Sequence, residues 1–374
     1  MHFNHCHYVP CLRWKQGEYQ ALERLSDEAK LMITPLIEVP EQGYDFETGT
    51  VKKSIDQHLA PFAKRIEQKL HDEPCFIDLN LIEPRQRMVD GKHPVRFVFD
   101  QLRARACPAV PVTGLGRDVG YQQSVRQVVA RDDLGLCLRL TVEEAAQPNL
   151  KARMDAALNP VAPPEKCDLV LDLGAPNFEP LEGFARLVQS LITRLPHLND
   201  WRTFTLLGTA FPESMAEIKS SPASIPRSEW RLYSVVARSL ALARVRTPAF
   251  GDYGINHPKL LPVDMRKLKP SGTIRYTTET EWFIVKGPNV RDNRFDQFRG
   301  HCRSIIRSGI YSGREFSVGD DYIYGCAGGS ESTGNLTTWR WVGTNHHLEF
   351  VARGIANFYG ISGTRSPDGE VRLN

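Results

Sequence analysis

The first two-thirds of the chain repeat one pattern: a short apolar segment ends near a polar or charged residue and is followed by apolar residues at helical spacing. The apolar segments lie at 6–12, 32–40, 74–80, 107–116, 135–141, 167–174, 203–209 and 247–254. Strands that alternate with helices form parallel sheets. Eight of them favour a closed barrel over an open sheet, so we expect an α/β fold, a (β/α)8 TIM-like barrel with a C-terminal α+β extension.

The length of 374 residues suits a barrel of about 250 residues and an appended region of about 100. We expect the barrel in residues 1–271 and the extension, packed on the barrel, in 272–374. Within the extension, 272–287 should form antiparallel strand with a central bend, and 295–308 should form a helix. The segment 309–344 is rich in Gly, Ser, Thr and Asp, which predicts a long functional or mobile loop. A last helix over 346–359 should complete the barrel.

Composition narrows the class of protein. Charged residues make up 24% of the chain and the formal net charge is +3, without a concentrated basic run, so the sequence does not call for a nucleic-acid partner. No segment approaches the ~20 apolar residues of a membrane helix. The first residues lack the features of a secretion signal, which predicts a cytoplasmic protein. The 8 cysteines lack paired CxxC spacing and should be free, buried thiols. The oligomeric state is not indicated.

Six ionisable residues fall at or near the predicted ends of strands. Because parallel barrels build their sites at the carboxyl ends of the strands, these side chains should converge on one mixed-charge pocket. The alternative is that they only pair with one another, since buried charges persist when they are paired. The six residues are Lys15, Glu38, Asp78, Arg139, Asp172 and Asp252.

The chemistry of these residues leaves several roles open. Glu38, Asp78 and Asp172 could bind Mg²⁺ or Mn²⁺, or divide into a general acid and a general base. Lys15 or Arg139 beside them could bind an anionic substrate or stabilise developing charge. Hence Glu38, Asp78, Asp172 and Lys15 are the catalytic candidates, and Arg139, Asn80, Asp252 and Arg117 are binding candidates.

Arg117 is a candidate because it ends the motif Gly-Leu-Gly-Arg after the fourth strand. Backbone N–H groups and a guanidinium in such a turn could face a phosphate. An ordinary turn between strand and helix would have the same sequence. A divalent metal is the one cofactor that these residues suggest, and its identity is open.

The extension contributes further binding candidates, Trp339, His346 and His347. Adjacent histidines on a helix point about 100° apart, so they cannot easily share a metal ion. One of them could cap the helix or reach the mouth of the barrel, and the alternative is an exposed pair without a role.

Four segments of the chain carry distinctive motifs, Tyr8-Val-Pro-Cys-Leu-Arg-Trp-Lys-Gln-Gly-Glu18, Pro35-Leu-Ile-Glu-Val-Pro40, Phe316-Ser-Val-Gly-Asp320 and Gly334-Asn-Leu-Thr-Thr-Trp-Arg-Trp-Val-Gly-Thr-Asn-His-His347. Together they resemble the Beta protein family of phages and bacteria, named after a T4-type phage protein. The likeness covers nearly the whole chain. It implies that Lys15, Glu18, Glu38 and 339–347 belong to a shared site, and that the protein has a phage or mobile-element setting. It implies kinship and no particular reaction.

Two hypotheses of function follow. The first is an enzyme that acts on an anionic small molecule, phosphate-bearing or nucleotide-like. The second is a non-catalytic barrel that binds a protein partner or senses a ligand through 309–344, with a role in phage–host conflict. The chain lacks GxxxxGK[ST], a GxGxxG motif after a strand, GxSxG and HExxH, which disfavours P-loop nucleotide sites, α/β-hydrolase nucleophiles and zincin metal sites.

Overall fold

The computed structural model describes residues 2–159, 161–259 and 269–361. Its strands are β1 (Cys11–Arg13), β2 (Leu36–Glu38), β3 (Tyr44–Asp45), β4 (Thr50–Val51), β5 (Cys75–Asp78), β6 (Ala109–Thr113), β7 (Cys137–Thr141), β8 (Asp168–Asp172), β9 (Thr203–Leu207), β10 (Ala223–Pro226), β11 (Ala249–Gly251), β12 (Ser271–Thr277) and β13 (Glu281–Asn289). Eight of these strands pair in parallel in the order β1-β2-β5-β6-β7-β8-β9-β11. The predicted (β/α)8-like barrel is confirmed.

Backbone contacts near Tyr8 connect the two ends of this sheet. Tyr8 forms parallel bridges with both Ile33 and Phe250. The N–H of Val9 donates to Phe250 O at 2.9 Å, and the N–H of Cys11 donates to Asp252 O at 2.7 Å. The first and last strands therefore lie side by side, and their carboxyl ends share one mouth with the other six.

Alternation along each strand separates the interior of the barrel from the face under the helices. One buried apolar cluster fills the interior, with Val9, Cys11, Leu36, Phe76, Val110, Val112, Cys137, Val170, Leu207 and Tyr253. Residues one position away belong to a second, larger cluster that also contains the apolar faces of the helices, among them Leu12, Ile37, Ile77, Leu138, Leu169, Leu206 and Phe250. Because the strands are covered on both faces, their sequences are nearly continuous apolar runs.

Helices follow the barrel strands and cover them. In the barrel they are α1 (Gln16–Glu23), α2 (Asp27–Leu31), α3 (Ile55–Leu59), α4 (Phe62–Leu70), α5 (Pro94–Ala104), α6 (Val119–Asp132), α7 (Val142–Ala145), α8 (Leu150–Leu158), α9 (Leu181–Thr193) and α10 (Ser228–Leu242). Several begin at capping side chains that bind exposed backbone N–H groups. Ser54 and Gln57 form a reciprocal capping box at α3, and Asp118 accepts from the N–H of Tyr121 in α6.

The C-terminal part forms a small sheet covered by helices. β13 pairs antiparallel with both β12 and β10, and β10 comes from the loop between β9 and α10 of the barrel. The predicted antiparallel strand with a bend is therefore the β12–β13 hairpin. The helices are α11 (Val290–Asn293), α12 (Gln297–Arg307), α13 (Val318–Gly328) and α14 (Leu336–Phe358).

The predicted loop over 309–344 was wrong, because most of that segment lies in α13 and α14. Gly319 serves the close packing of the two helices, because a Cβ on Gly319 would lie 2.5 Å from Val342 O. Ser317 and Asn335 cap the two helices. The small and polar residues of this segment thus belong largely to two packed helices and not to a loop.

Helix α14 contacts both parts of the molecule. Its first turns contribute Trp339 and Val342 to the C-terminal core, and its later turns contribute Leu348 and Val351 to the cluster around the barrel. Asn345 donates to Ala21 O at 3.1 Å, at the end of α1. The division of the chain at residue 271 stays a prediction, but α14 itself spans both cores.

Two expectations about side chains and membranes can be compared with the structure. All eight cysteines are free and buried. Within the described ranges, none of the helices combines the length and apolarity that a membrane crossing requires.

Candidate functional site

A layer of polar side chains closes the interior of the barrel at the carboxyl ends of its strands. Each lies two residues beyond an apolar residue of the interior cluster or of its strand, so strand alternation points it inward. The layer consists of Arg13, Glu38, Asp78, Arg139, Asp172 and Tyr253. We call these six residues the mouth layer.

Arg139 occupies the centre of the mouth layer. Its Nη1 donates to Glu38 Oε1 and to Asp78 Oδ2, both at 2.9 Å. Its Nε donates to Asp172 Oδ2 at 2.9 Å, and its Nη2 donates to the Tyr253 hydroxyl at 2.8 Å. One guanidinium therefore binds all three carboxylates that the sequence singled out.

Two more arginines reach the same carboxylates from the rim. Arg117 Nη2 lies 2.9 Å and 3.1 Å from the two oxygens of Asp78. Arg13 Nε lies 3.5 Å from Glu38 Oε2, and Arg13 Nη2 donates to Pro258 O. Arg117 is thus bound to Asp78, and its backbone N–H donates to Gly114 O at 3.3 Å as in an ordinary turn.

Two buried tyrosines lie against the carboxylates. The Tyr253 hydroxyl donates to Asp172 Oδ2 at 2.7 Å, and the Tyr121 hydroxyl lies 3.0 Å from Val112 O and 3.3 Å from Asp78 Oδ1. Burial raises the pKa of Tyr253 well above its usual value, although Arg139 opposes the shift. Burial, and then the charge of Asp78, raises the pKa of Tyr121 as well. Both hydroxyls therefore keep their protons and remain donors.

The charges of the site balance. Three guanidiniums, of Arg13, Arg117 and Arg139, face three carboxylates, and buried charges need such compensation. Among the residues that the structure describes, no group of three His, Cys, Asp or Glu side chains is arranged to hold a metal ion. Because Arg139 lies between the carboxylates, Mg²⁺ could bind them only if that side chain moved away.

Lys15 and Asn80 follow barrel strands, as predicted, but they are not part of the mouth layer. Lys15 is exposed, two residues past β1, and its side chain forms no hydrogen bond or ion pair with the described part of the chain. Asn80 is also exposed, and its backbone N–H donates to Asp78 Oδ1 at 2.9 Å. The predicted convergence therefore holds for Glu38, Asp78, Arg139 and Asp172, but not for Lys15. Arg117, a candidate from the turn after the fourth strand, lies at the rim of the same layer.

Asp252 does not point into the mouth. It lies one residue before Tyr253, so alternation turns it to the outer face of the sheet, under α14. There it accepts from the Tyr8 hydroxyl at 2.6 Å, from the N–H of Gly254 at 2.8 Å and from His347 Nε2 at 2.9 Å. Burial alone would raise the pKa of Asp252, but His347, and then the charge of Arg227 and the Tyr8 hydroxyl, outweigh burial and lower the pKa.

His347 and His346 are fully buried and bind different partners. Burial lowers the pKa of His347, so its ring is neutral, with Nε2–H donating to Asp252 and Nδ1 accepting from Thr277 Oγ1 at 2.8 Å. His346 Nε2 donates to Thr277 O at 2.8 Å, and its Nδ1 lies 2.8 Å from Asp320 Oδ2.

The hydrogen bonds outside the barrel therefore form one chain from Tyr8 to Asp320. We call this the outer chain: Tyr8, Asp252, His347, Thr277, His346 and Asp320. Burial would raise the pKa of Asp320, but His346 and then Ser317 and Tyr276, which donate to it, lower the pKa. Asp252, His347 and Thr277 resemble a catalytic triad in composition, but all are shielded from solvent, and so they connect α14 to the barrel and the small sheet.

Trp339 lies in the C-terminal core and not at the mouth. Its ring stacks on Phe298 with centroids 4.6 Å apart, and its Nε1 donates to Thr333 O at 2.8 Å. Trp339 is 2% exposed, so its role in the described structure is packing.

A second group of cations faces the barrel from the C-terminal part. Ile274 and Tyr276 of β12 pack into the C-terminal core, so Arg275 between them points to the opposite face. Its guanidinium lies 5.9 Å from the ring centroid of Phe211, which packs with Ile255 in the loops after β9 and β11. Arg275 is thus directed at the loops around the mouth.

Arg275 has no acceptor. Its Nε is shielded from solvent, and its side chain forms no hydrogen bond or ion pair with any described residue. Burial, and then the nearby positive charge of Arg340, lowers the pKa of Arg275 to about 9, with Glu18 opposing the shift. It remains charged at neutral pH.

Arg340, on α14, lies in the same group. Its Nη1 donates to Asn256 Oδ1, and Asn256 Nδ2 lies 3.3 Å from Glu18 Oε1. The loop that carries Asn256 also carries Pro258, the partner of Arg13. This one loop therefore contacts the mouth layer and the second group of cations.

Sequence reasoning missed Arg13, Tyr253 and Arg275, and it included Arg340 only within the segment 339–347 that the family resemblance implied for a shared site. Counting two residues on from Cys11 and Gly251 would have found Arg13 and Tyr253. The sequence carries no comparable signal for Arg275, because it reaches the site only through the packing of β12 and α14 on the barrel.

The comparison with known families agrees with the sequence motifs. The sequence model of the family described as Beta protein matches residues 8–353. The chain belongs to the Beta protein family. The match extends from the first barrel strand through most of α14, so it includes the mouth layer, the outer chain, Arg275 and Arg340. No match was found among curated proteins.

Proposed function

We propose that this Beta family protein binds a small anionic molecule at the carboxyl end of its barrel, between the loop at 253–259 and the face of β12. The observation that carries the proposal is the guanidinium of Arg275, which lacks an acceptor. Arg275 is partly exposed, but its Nε is shielded from solvent, and a shielded donor without an acceptor costs about 1–3 kcal/mol. A bound anion would supply the missing acceptor.

The surroundings of Arg275 favour the same kind of ligand. Arg340 places a second positive charge beside it, and the one carboxylate whose charge opposes the shift in the pKa of Arg275 is that of Glu18. Glu18 already accepts from Asn256. An incoming anion would therefore balance the charge of the two arginines and would not compete with Glu18. Lys15 lies exposed at the end of β1 and adds a further cation to this side of the molecule.

An enzymatic role for Glu38, Asp78, Asp172 and Lys15 stays a prediction. Every carboxylate of the mouth layer already accepts from arginine, so none is a free base in the described arrangement. A protein-binding role rested on a loop at 309–344, and that segment is mostly helical. Ligand binding, with or without turnover, is therefore the function that the geometry supports best.

The experiment compares the full chain with the variant Arg275→Met. Thermal unfolding is followed with inorganic phosphate, pyrophosphate or citrate, each against sodium chloride at equal ionic strength. A ligand at 100 times its Kd should stabilise the wild type by about 2.7 kcal/mol. Arg275→Met should lose that response and, without ligand, should be more stable than the wild type by about 1–3 kcal/mol, because it removes a charge that has no partner.

Arg231→Met is the matched control, since Arg231 is exposed on α10. It should keep the response to the anions. The proposal is wrong if Arg275→Met destabilises the free protein and leaves the response intact, because Arg275 would then have only a packing role. It is also wrong if none of the three anions stabilises the wild type.

A further inference from the structure

A cavity of about 570 Å³ lies outside the barrel, between α10 and α14. Trp230 of α10 and Phe358 of α14 form part of its wall, with ring centroids 5.6 Å apart. No residue of the mouth layer lines it, nor do Arg275 or Arg340. Its volume is within the range of sites for small molecules, about 300–1,000 Å³. We call it the α10–α14 cavity.

Three arginines give the cavity its charge. Arg353 places its guanidinium 4.3 Å from the ring centroid of Phe316, and Arg238 lies 5.1 Å from that of Phe358. Arg238 is exposed and forms no ion pair with the described residues, while Arg353 has Glu349 at 3.4 Å. Arg227 is the third.

Arg227 is buried in the wall and only partly paired. Its Nη1 donates to Thr278 O at 3.0 Å, and its Nε lies 3.4 Å from Glu229 Oε1 without a hydrogen bond between them. The cavity itself is lined by one acidic residue, Glu279, against three guanidiniums. The lining therefore favours an anion.

Aromatic rings form much of the rest of the lining. Phe316, Phe350, Phe358 and Trp230 all face the cavity. Rings attract the flat faces of other rings, and arginines held over rings present a planar donor edge to an anionic group. The combination fits a ligand that is flat and apolar at one end and charged at the other.

Gly354 leaves space for such a ligand. A Cβ built at this position of α14 would meet no atom within 4 Å, so the backbone of the helix faces the open cavity. Residues three and four positions away, Val351 and Phe358, line the same cavity. A larger side chain at Gly354 would enter the space without a clash in the protein.

We propose that the α10–α14 cavity binds a planar aromatic molecule with an anionic group, of the nucleoside monophosphate class. The aromatic ring would pack against the phenylalanines, and the phosphate would accept from Arg238 and Arg353. This site is separate from the anion site proposed at the mouth and does not depend on it.

The probe is AMP, with adenosine and inorganic phosphate as partial probes, and binding is measured by calorimetry on the full chain. AMP should bind the wild type, and each partial probe should bind at least about 10-fold more weakly, since each lacks one half of the recognition. Gly354→Leu should fill the cavity and weaken AMP binding at least about 10-fold.

Gly300→Leu is the matched control. Gly300 also lies in a helix, α12, and a Cβ there meets no atom within 4 Å, but it does not line the cavity. This variant should bind AMP like the wild type. Arg238→Gln should weaken AMP binding and leave adenosine binding unchanged, which separates loss of the phosphate contact from a folding defect.

Three results would overturn the proposal. AMP could fail to bind the wild type at millimolar concentration. Gly354→Leu could bind AMP as tightly as Gly300→Leu does. Arg275→Met could abolish AMP binding while Gly354→Leu does not, which would place AMP at the mouth of the barrel. If only the proposal for the mouth is wrong, Gly354→Leu should still weaken AMP binding.

Discussion

The mouth layer and the outer chain meet at two neighbouring residues, Asp252 and Tyr253, which point to opposite faces of one sheet. Inside, Tyr253 joins a compact group in which guanidiniums bind carboxylates. Outside, Asp252 joins a linear chain of tyrosine, histidine and threonine. Two neighbouring residues at the end of one strand therefore point in opposite directions, one side chain into the mouth of the barrel and the other against a covering helix.

The two regions also differ in how they satisfy their charges. Each carboxylate of the mouth layer has at least one arginine, and Arg139 binds three of them. Asp252 has no arginine within hydrogen-bond distance and depends on Tyr8, Gly254 and neutral His347. We expect the free energy of unfolding to fall strongly when Arg139 is lost and only slightly when another single hydrogen bond of the mouth layer is lost. In the outer chain, the loss of any one hydrogen bond should lower it.

The largest expected effect comes from Arg139→Met. The variant keeps much of the side-chain volume and leaves three carboxylates together in the interior, so the free energy of unfolding should fall by about 3–5 kcal/mol. Urea denaturation measures it. Arg186→Met is the control: Arg186 is exposed and lies 4.0 Å from Glu182, and its loss should cost less than about 0.5 kcal/mol. A loss below about 1 kcal/mol for Arg139→Met would show that the mouth layer does not depend on that cation.

A smaller effect should separate the two regions through their tyrosines. Tyr8→Phe removes a hydroxyl that binds Asp252, and Tyr253→Phe removes one that binds Asp172. Asp172 keeps Arg139, so Tyr253→Phe should cost about 1 kcal/mol. Asp252 has no arginine within hydrogen-bond distance, so Tyr8→Phe should lower the free energy of unfolding by about 2 kcal/mol.

Both tyrosines are buried and the change removes the same atom, so each variant is the control for the other. Denaturation under one set of conditions gives the difference directly. Equal losses, or a larger loss for Tyr253→Phe, would contradict the view that arginine pairing makes the mouth layer redundant.

The same comparison explains how far the sequence could predict the site. Glu38, Asp78 and Asp172 are the last residues of their strands, and so the polar end of each apolar run located them correctly. Asp252 was misplaced because a polar residue at a strand end was assumed to face inward, whereas alternation from Phe250 turns it outward.

The C-terminal part was harder for a physical reason. Gly319 and Gly325 were read as loop residues, although a Cβ at Gly319 would meet the backbone of α14. The role of Arg275 depends on which face of β12 packs on the barrel, and that depends on α12 to α14 covering the other face. Such contacts between distant segments leave no periodic signal in a single sequence.

The smallest effect concerns pH. Of the two regions compared, only the outer chain should contribute to it, because the mouth layer contains no histidine. Burial lowers the pKa of His347 below its ordinary value of 6.5. Below that value the unfolded chain takes up a proton at this residue and the folded chain does not. Stability is therefore lost as the pH falls through 6.5.

His347→Gln removes this contribution. Between pH 7 and pH 5.5 the wild type should lose more stability than His347→Gln does, by at most about 1 kcal/mol, whatever the constant cost of the substitution. Urea denaturation at several pH values measures the difference. His7→Gln provides a comparison, since His7 is a partly buried histidine that does not belong to the outer chain, and burial lowers its pKa to about 3. His7→Gln should flatten the pH dependence by a similar amount and independently. If His347→Gln loses stability in parallel with the wild type, His347 takes up its proton over the same pH range in the folded protein as in the unfolded chain, which would contradict a pKa lowered by burial.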